Sequence, residues 1–325
     1  MQTIIAGSRN IYWPEFVDLA IDGLTYPTTV SCGEAKGMDK AGKDWAEVRC
    51  IPVKSFPAIW SNAGVYNNSA GMERNALMAK ESQQLVLLYD GASRGSTHML
   101  TTAIKEGLAV KAAILRFKVN ENGEQLLDKS NLLWINKYRP QEVVSFLKTN
   151  EVYGFYSNMA KGYDFKINGI NIHSSEHLYQ ALKFDDGNIQ EEILSIKNPW
   201  QAKKLVTSLY NKRVNKDWLR LRDAVMVLCI GLKILLSEKF LSDHNEHNHS
   251  NKPIVEFSYK DPYWGAIPNP DNTLLIGFNR LGYILNLQFN TYSRTGEPLI
   301  PMNLPLKLLG VDIEIVLEEM YANNN

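Results

Sequence analysis

The segment His173–Phe184 (HSSEHLYQALKF) sets a carboxylate, Glu176, beside His177 and follows it with Tyr179, Gln180 and Lys183. Read as a helix, Ser174 or Ser175 stands where an N-terminus takes a side-chain cap. Glu176 then falls in the first turn, where the helix dipole favours the ionised carboxylate. Glu176, Gln180 and Lys183 are spaced i, i+4, i+7 and share one face. Two readings fit this segment alone: a capped surface helix with a polar stripe, and one wall of an active site. A second segment, Asn215–Met226 (NKDWLRLRDAVM), puts Trp218 and Arg222 at i, i+4. That pair suits a planar base beside an anionic group, or equally a buried Trp with an exposed Arg. A third, Ile254–Gly265 (IVEFSYKDPYWG), ends in a tight loop that carries Asp261, Tyr263 and Trp264. A carboxylate with two aromatics is unusual for turn-making alone, although a structural Trp at a turn is the plainer account. Downstream, IGFNRLGYIL offers Asn279 and Gly282 as loop and packing residues. The histidines His244, His247 and His249 of SDHNEHNHS have no spacing of known ligand geometry and read as a solvated loop, not a metal site.

The elements that must position these residues divide the chain. The first 117 residues alternate strand and helix signals: TIIA, a helix over Pro14–Leu24, TTVSC, a helix over Asp39–Arg49, IPVKSF, a helix over Gly71–Glu81, QLVLLY, a helix ending at Gly107, and VKAAILRF. Alternation with wholly apolar strands predicts a doubly wound parallel sheet covered on both faces. Residues 118–150 read as a connection ending in an amphipathic helix over Pro140–Lys148. From 151 the pattern becomes mainly helical α+β, with a hairpin signal at Asn168-Gly169 inside YDFKINGINI. Helices dominate Ser174–Leu241, and Ala224–Leu236 (AVMVLCIGLKILL) is too short and too charged, through Lys233, to cross a bilayer; it reads as a buried helix.

Three loops, AGSRN, SCGEAKGMDK and DGASRGST, follow three of the expected strands and therefore gather at one sheet edge, the usual ligand crevice. Glycines admit a phosphate, and helix N-termini supply N–H donors. Ser8, Arg9, Arg94, Ser96 and Thr97 are the types that hold phosphate oxygens. The order AGSR, SCGEAKGMD with a WAE-containing helix, MERNALMA and YDGASRGSTHML resembles the YspA-type branch of the SLOG superfamily over residues 1–117. That resemblance implies a Rossmann-like domain that binds a nucleotide or nucleotide-derived ligand. The expected binding set is Gly7, Ser8, Arg9, Gly33, Gly37, Asp39, Arg74, Gly91, Arg94, Gly95, Ser96 and Thr97. The PGGxGT-type loop of the phosphoribohydrolases in that superfamily is absent from this sequence, so binding is the property carried over.

The chain has 325 residues, 45% apolar and 22% charged, with equal numbers of acidic and basic groups. That is a soluble two-domain composition without the excess positive charge of a nucleic-acid groove. Three widely spaced cysteines fit reduced thiols, and MQTIIAGSRN has no signal-peptide pattern. The expectation is a cytoplasmic protein, bacterial or phage-encoded and acting in the host cytoplasm, with no membrane partner.

Over residues 151–290 six motifs recur in order: Gly154 with Ser157-Asn158, SEHLYQALKF, NPWQAKKL, WLRLR, DPYWG and NRLG. They resemble the YbiA-like, or NADAR, family. The resemblance implies cleavage of N-glycosidic bonds, either in ribosylamino-pyrimidine phosphates of riboflavin synthesis or in ADP-ribose adducts of nucleobases. It implies functional roles for Glu176, Asp261, Trp218 and Trp264. Lys183 and Arg222 would be anion contacts, and Ser157, Asn158, Gln180, Tyr263 and Asn279 would complete the substrate site. Breaking a C1′–N bond builds positive charge on the ribose, which a nearby carboxylate stabilises while activating water. Glu176 or Asp261 fits that task, with Glu176 preferred for water; Trp264 or Trp218 fits stacking on the leaving base. No metal or cofactor is required, and a bound nucleotide or ADP-ribose-like ligand is compatible with the chain. The expected organisation is 1–117 nucleotide-binding, 118–150 connecting, 151–290 N-glycosidase and 291–325 a C-terminal extension, with homo-oligomerisation left open. The reading from another class is a non-catalytic sensor or sponge for ADP-ribose-type nucleotides.

Overall fold

The computed structural model describes residues 1–62, 64–119, 125–247 and 252–324. The chain forms two compact units, Met1–Gln141 with Phe257–Asn279, and Glu142–Glu256 with Arg280–Asn325.

The first unit runs β1 (Gln2–Gly7), α1 (Phe16–Ala20), β2 (Thr29–Cys32), α2 (Met38–Val48), β3 (Val53–Ser55), a small hairpin of β4 (Ser61–Asn62) and β5 (Val65–Tyr66), α3 (Ala70–Glu81), β6 (Gln84–Tyr89), α4 (Arg94–Lys105), β7 (Ala109–Val119), β8 (Gln125–Trp134) and β9 (Asn136–Tyr138). Six strands make one sheet in the order β3-β2-β1-β6-β7-β8. All pairs are parallel except β7 with β8. Alternate residues feed two cores. Ile4, Ala6, Leu85, Leu87 and Tyr89 pack on one face, and Ile5, Val30, Val86 and Leu88 on the other. Both faces are therefore apolar, which is why these strands read as unbroken hydrophobic runs. The chain reverses direction of winding between β1 and β6, so the crevice lies beyond Gly7 and Tyr89.

Residues 118–150, expected as a connection, hold β8, which extends the sheet. The helix expected over Pro140–Lys148 is absent. A single 3-10 turn spans Pro140–Glu142, and β10 (Val144–Phe146) follows. Val144 and Phe146 are buried while Ser145 is exposed. That period of two, on β-branched and aromatic residues, overrides the helical spacing. β14 (Ile267–Pro268) and β15 (Leu275–Gly277) make a small sheet with β9. Tyr263, Ile267, Ile276 and Phe278 enter the first unit's core, so Phe257–Asn279 folds with the N-terminal sheet and not with the helices around it in sequence.

The second unit holds the hairpin β11 (Phe165–Ile167) and β12 (Ile170–Ile172), α5 (Ser175–Ala181), α6 (Gly187–Ser195), α7 (Pro199–Leu205), α8 (Trp218–Leu236), α9 (Glu238–His247), β13 (Ile254–Glu256), α10 (Arg280–Thr295), a hairpin of β16 (Lys307–Leu308) and β17 (Val311–Asp312), and α11 (Ile313–Asn324). β10 pairs with β13. The β11–β12 turn falls on Asn168-Gly169, both at positive φ, as the sequence predicts. Residues after 290 belong to this unit, tied down by two fully buried glutamines. Gln190 donates to the carbonyls of Phe184 and Lys307 at 2.6 and 2.7 Å. Gln288 donates to Val227 of α8 and to Leu299 at 2.7 and 2.8 Å. His244 and His247, expected in a loop, lie on α9. His244 stacks on Phe289 with centroids 3.4 Å apart, its Nδ1 sits 2.9 Å from the Tyr156 hydroxyl, and burial pushes its pKa down to about 4. His249 lies outside the described residues.

Candidate active site

In the second unit α5 is the centre, and all seven of its residues are buried. The capped surface helix is therefore excluded. Ser174 occupies the N-cap position with extended backbone, yet its hydroxyl makes no cap. It pairs with His177 Nδ1 at 2.8 Å, and burial holds the His177 imidazole down to about 4, so it stays neutral near pH 7. Glu176 is 6% exposed and its main-chain N–H donates to the carbonyl of Asn158 at 3.2 Å. Its Oε1 accepts from Gln180 Nε2 at 2.6 Å, and Lys203 Nζ of α7 lies 3.7 Å away. Helix α7 is set by Asn198, which caps it through Trp200 N at 3.0 Å, with Pro199 at its first position. The sequence marks Lys203 only through the AK pair of the NPWQAKKL motif.

Lys183 closes the same cluster. Its Nζ lies 5.2 Å from the Tyr179 ring and 5.5 Å from the Trp218 ring, which meet edge-to-face at 5.0 Å. Burial pulls the Lys183 amine down to about 8; Lys203 pushes the same way and Glu176 opposes both. Its carbonyl accepts from Asn215 N at 2.8 Å, and Asn215 O in turn accepts from Trp218 N at 3.1 Å, which fixes Trp218 at the start of α8. Arg222 stands one turn further along α8, half-buried. Cys229 of the same helix is fully buried, and burial together with the charge of Glu176 raises its thiol well above its ordinary value. Ser157 is buried, its Oγ accepting from Met159 N at 3.2 Å. Asn158 donates through Nδ2 to Met226 Sδ at 3.0 Å. The structure thus gathers Glu176, Gln180, Lys183, Trp218 and Asn158 in one unit and adds Tyr179 and Lys203.

Asp261, Tyr263, Trp264 and Asn279 belong to the first unit. Asp261 is exposed, and its Oδ1 accepts from Tyr263 N and Trp264 N at 2.9 and 3.1 Å, holding its own turn. Tyr263 is buried in the core beside Phe278, with Trp264 packed against it. Asn279 takes a left-handed backbone at φ 47° and its N–H donates to Gly265 O at 3.1 Å.

The first unit has a cavity of about 200 Å³ at the carboxyl ends of β1 and β6. Of the sequence-predicted set, Gly7, Arg9, Asp39, Arg74, Gly95 and Ser96 line it. A side chain at Gly7 would collide with the Leu88 carbonyl, and Gly37 takes φ 76° against the backbone of Ser8 and Arg9, so both glycines let the loops close tightly. Ser8 is buried with its Oγ accepting from Asp90 N at 3.1 Å, and Gly33 O accepts from Arg74. Gly33, Gly91, Arg94 and Thr97 are not among the residues that line the cavity. Burial raises the Asp39 carboxyl while Arg74, 3.7 Å away, pulls it down. Trp60, Met72, Asn75 and Ser93, outside that predicted set, also line the cavity. Trp60 comes from the β4–β5 hairpin, which no strand signal marks.

Among the described residues no three His, Cys, Asp or Glu side chains gather as a metal site, and no helix is long and apolar enough to cross a membrane. Residues 145–287 match the NADAR domain model. N-glycosidase YbiA of Shigella boydii serotype 4 (strain Sb227) is 31% identical over 44% of this chain and 84% of that protein, and N-glycosidase YbiA of Escherichia coli (strain K12) gives the same figures. The riboflavin biosynthesis protein VVA0006 of Vibrio vulnificus (strain YJ016) is 32% identical over 45% of this chain and 37% of that longer protein. The solution structure of E. coli YbiA aligns at a TM-score of 0.39 and 27% identity, over 47% of this chain and 88% of that one. With the cluster around Glu176 lying inside the matched stretch, the chain belongs, through residues 145–287, to the NADAR family.

Proposed function

We propose that this protein is an N-glycosidase, a hydrolase acting on N-ribosyl bonds in ADP-ribose-type nucleotides or nucleobase adducts, with Glu176 as the catalytic carboxylate. The observation that carries this reading is the Glu176 cluster: a buried carboxylate held by Gln180, flanked by Lys203, and followed by Lys183 over the Tyr179–Trp218 ring pair. A carboxylate in a water-poor setting acts strongly on developing charge. As the C1′–N bond breaks, its electron pair leaves with the base and C1′ becomes cationic. Glu176 stabilises that cation and takes a proton from the attacking water, whose oxygen bonds to C1′. The leaving nitrogen gains a proton, so one water is consumed and the free base and the 1′-hydroxylated sugar phosphate are released. Lys183 and Lys203 supply positive charge for a phosphate, and the exposed part of Trp218 offers a face to the base. The relatives named N-glycosidase YbiA support the bond type.

A ribosylamino-pyrimidine phosphate is the second reading of the substrate, favoured by the Vibrio relative's name. In either case the first unit binds a nucleotide, with Arg9, Arg74 and the N-terminus of α4 facing a phosphate. The test is release of free base from ADP-ribosylated DNA and from a ribosylaminouracil phosphate, with wild type and Glu176→Gln. Turnover at substoichiometric wild-type protein, reduced at least about a hundredfold in the variant, is expected. Tight binding without turnover would instead make the protein a sponge.

A further inference from the structure

The amide of Gln180 is oriented by its neighbour. Gln180 Nε2 donates to Glu176 Oε1 at 2.6 Å, which fixes the orientation of the amide. Gln180 Oε1 therefore points away from Glu176 as an acceptor. Gln180 is 2% exposed, and among the described residues no donor reaches that oxygen. Asn158, 5% exposed, also carries an unpaired side-chain acceptor. Its main-chain oxygen holds the Glu176 N–H, its Nδ2 points at Met226 Sδ, and among the described residues no donor reaches Oδ1. Buried acceptors are rarely left unpaired, and two of them on residues bonded to Glu176, one through its carboxylate and one through its main chain, ask for a ligand that brings two donors. A ribose brings a vicinal pair of hydroxyls.

Resting on the N-glycosidase reading above, we propose that Gln180 reads the sugar: its Oε1 accepts from the 2′-hydroxyl of the substrate ribose, with Asn158 Oδ1 serving the 3′-hydroxyl, so that the site selects ribosides over 2′-deoxyribosides. The assignment of the 2′ position follows from the geometry of the sugar. Glu176 addresses C1′, Gln180 is bonded directly to Glu176, and the 2′-hydroxyl is the one next to C1′. A hydrogen bond to the 2-hydroxyl strengthens as the ring becomes cationic, so Gln180 contributes more in the transition state than in the ground state. The preference also runs against intrinsic reactivity. The 2′-oxygen withdraws electrons and makes ribosides lose their base more slowly than deoxyribosides, so any preference for ribosides comes from the protein.

The experiment compares ribosylaminouracil 5′-phosphate with its 2′-deoxy and 2′-O-methyl analogues, reading kcat/KM for release of the free pyrimidine. Wild type is expected to favour the riboside over both analogues by about ten- to a hundredfold. In Gln180→Met the absolute rates fall for all three substrates, because Glu176 loses its donor as well. The discriminating readout is the ratio, which is expected to collapse toward one. The 2′-O-methyl substrate, which retains the oxygen but cannot donate, tests the same bond in unaltered protein should the variant not fold. Equal wild-type rates on riboside and both analogues, or a ratio unchanged in Gln180→Met, would overturn the role of Gln180 while leaving the N-glycosidase reading intact. No release from this riboside or from an ADP-ribosylated base would remove that reading and the present inference together.

Discussion

Lys233 offers a sharp physical test of how this fold is held. It lies near the C-terminal end of α8, 1% exposed, and donates to the Phe155 carbonyl at 2.9 Å. The Phe240 ring centroid is 3.8 Å from its Nζ and that of Tyr163 is 4.9 Å away. Asp243, itself engaged by Lys239 and Tyr163, is the acidic group that favours its charge. Burial wins and pulls the amine down from 10.5 to about 7. The folded pKa thus lies below the unfolded one, so protonation favours the unfolded chain. The resulting penalty is complete below pH 7, shrinks as pH rises, and is gone above about 10.5. Integrating the linkage relation gives a penalty of about 4 kcal/mol at pH 7 and about 2 kcal/mol at pH 9. Lys233→Met removes this pH-dependent term. It also strips the Phe155 carbonyl of its donor, a loss of about 1–3 kcal/mol that does not vary with pH. The variant is therefore expected to match or exceed wild type in stability at pH 7. Its advantage falls by about 2 kcal/mol between pH 7 and pH 9. Urea unfolding of both proteins at the two pH values, followed by tryptophan fluorescence, measures that change. Other titrating groups are common to both chains and cancel. A difference flat to within about 0.5 kcal/mol would mean that Lys233 is solvated or stays charged in the fold, and the reasoning from its burial would fail.

Two further outcomes concern the ligand sites. The Lys183 amine, held down to about 8, is cationic below that pH and neutral above it. KM for a phosphate-bearing substrate is therefore expected to rise about tenfold from pH 7 to pH 9 in wild type and to stay level in Lys183→Arg, whose guanidinium keeps its charge. A wild-type KM that does not move with pH would take Lys183 out of anion binding. In the first unit, Arg9 is exposed at the cavity edge, so Arg9→Ala is expected to weaken ADP-ribose binding at least about tenfold, by calorimetry, without lowering Tm. Unchanged affinity would place the anion elsewhere.

Sequence alone carried the parts of this protein that depend on local pattern. The unbroken apolar runs of β1 and β6 announced a sheet buried on both faces, and Asn168-Gly169 marked its hairpin, because strand burial and positive φ leave direct marks in composition. The i, i+4, i+7 spacing of Glu176, Gln180 and Lys183 likewise predicted their shared neighbourhood. Local pattern failed where a distant partner decides. Pro140–Lys148 has helical spacing, but Val144–Phe146 within it finds β13 to pair with and becomes a strand. The SDHNEHNHS histidines look solvated until Phe289, 45 residues away from His244, supplies a ring to stack on. The DPYWG loop falls inside the stretch 151–290 that the sequence groups as one domain, yet Tyr263 and Phe278 join the core of the N-terminal sheet. Sequence thus determined which residues can do chemistry and which elements carry them. Only tertiary structure decided that every residue of α5 is buried, that Lys203 of α7 stands beside Glu176, and that Gln180 and Asn158 keep acceptors in reserve. Burial and hydrogen-bond partnership belong to pairs of residues brought together in space, and no single segment encodes them.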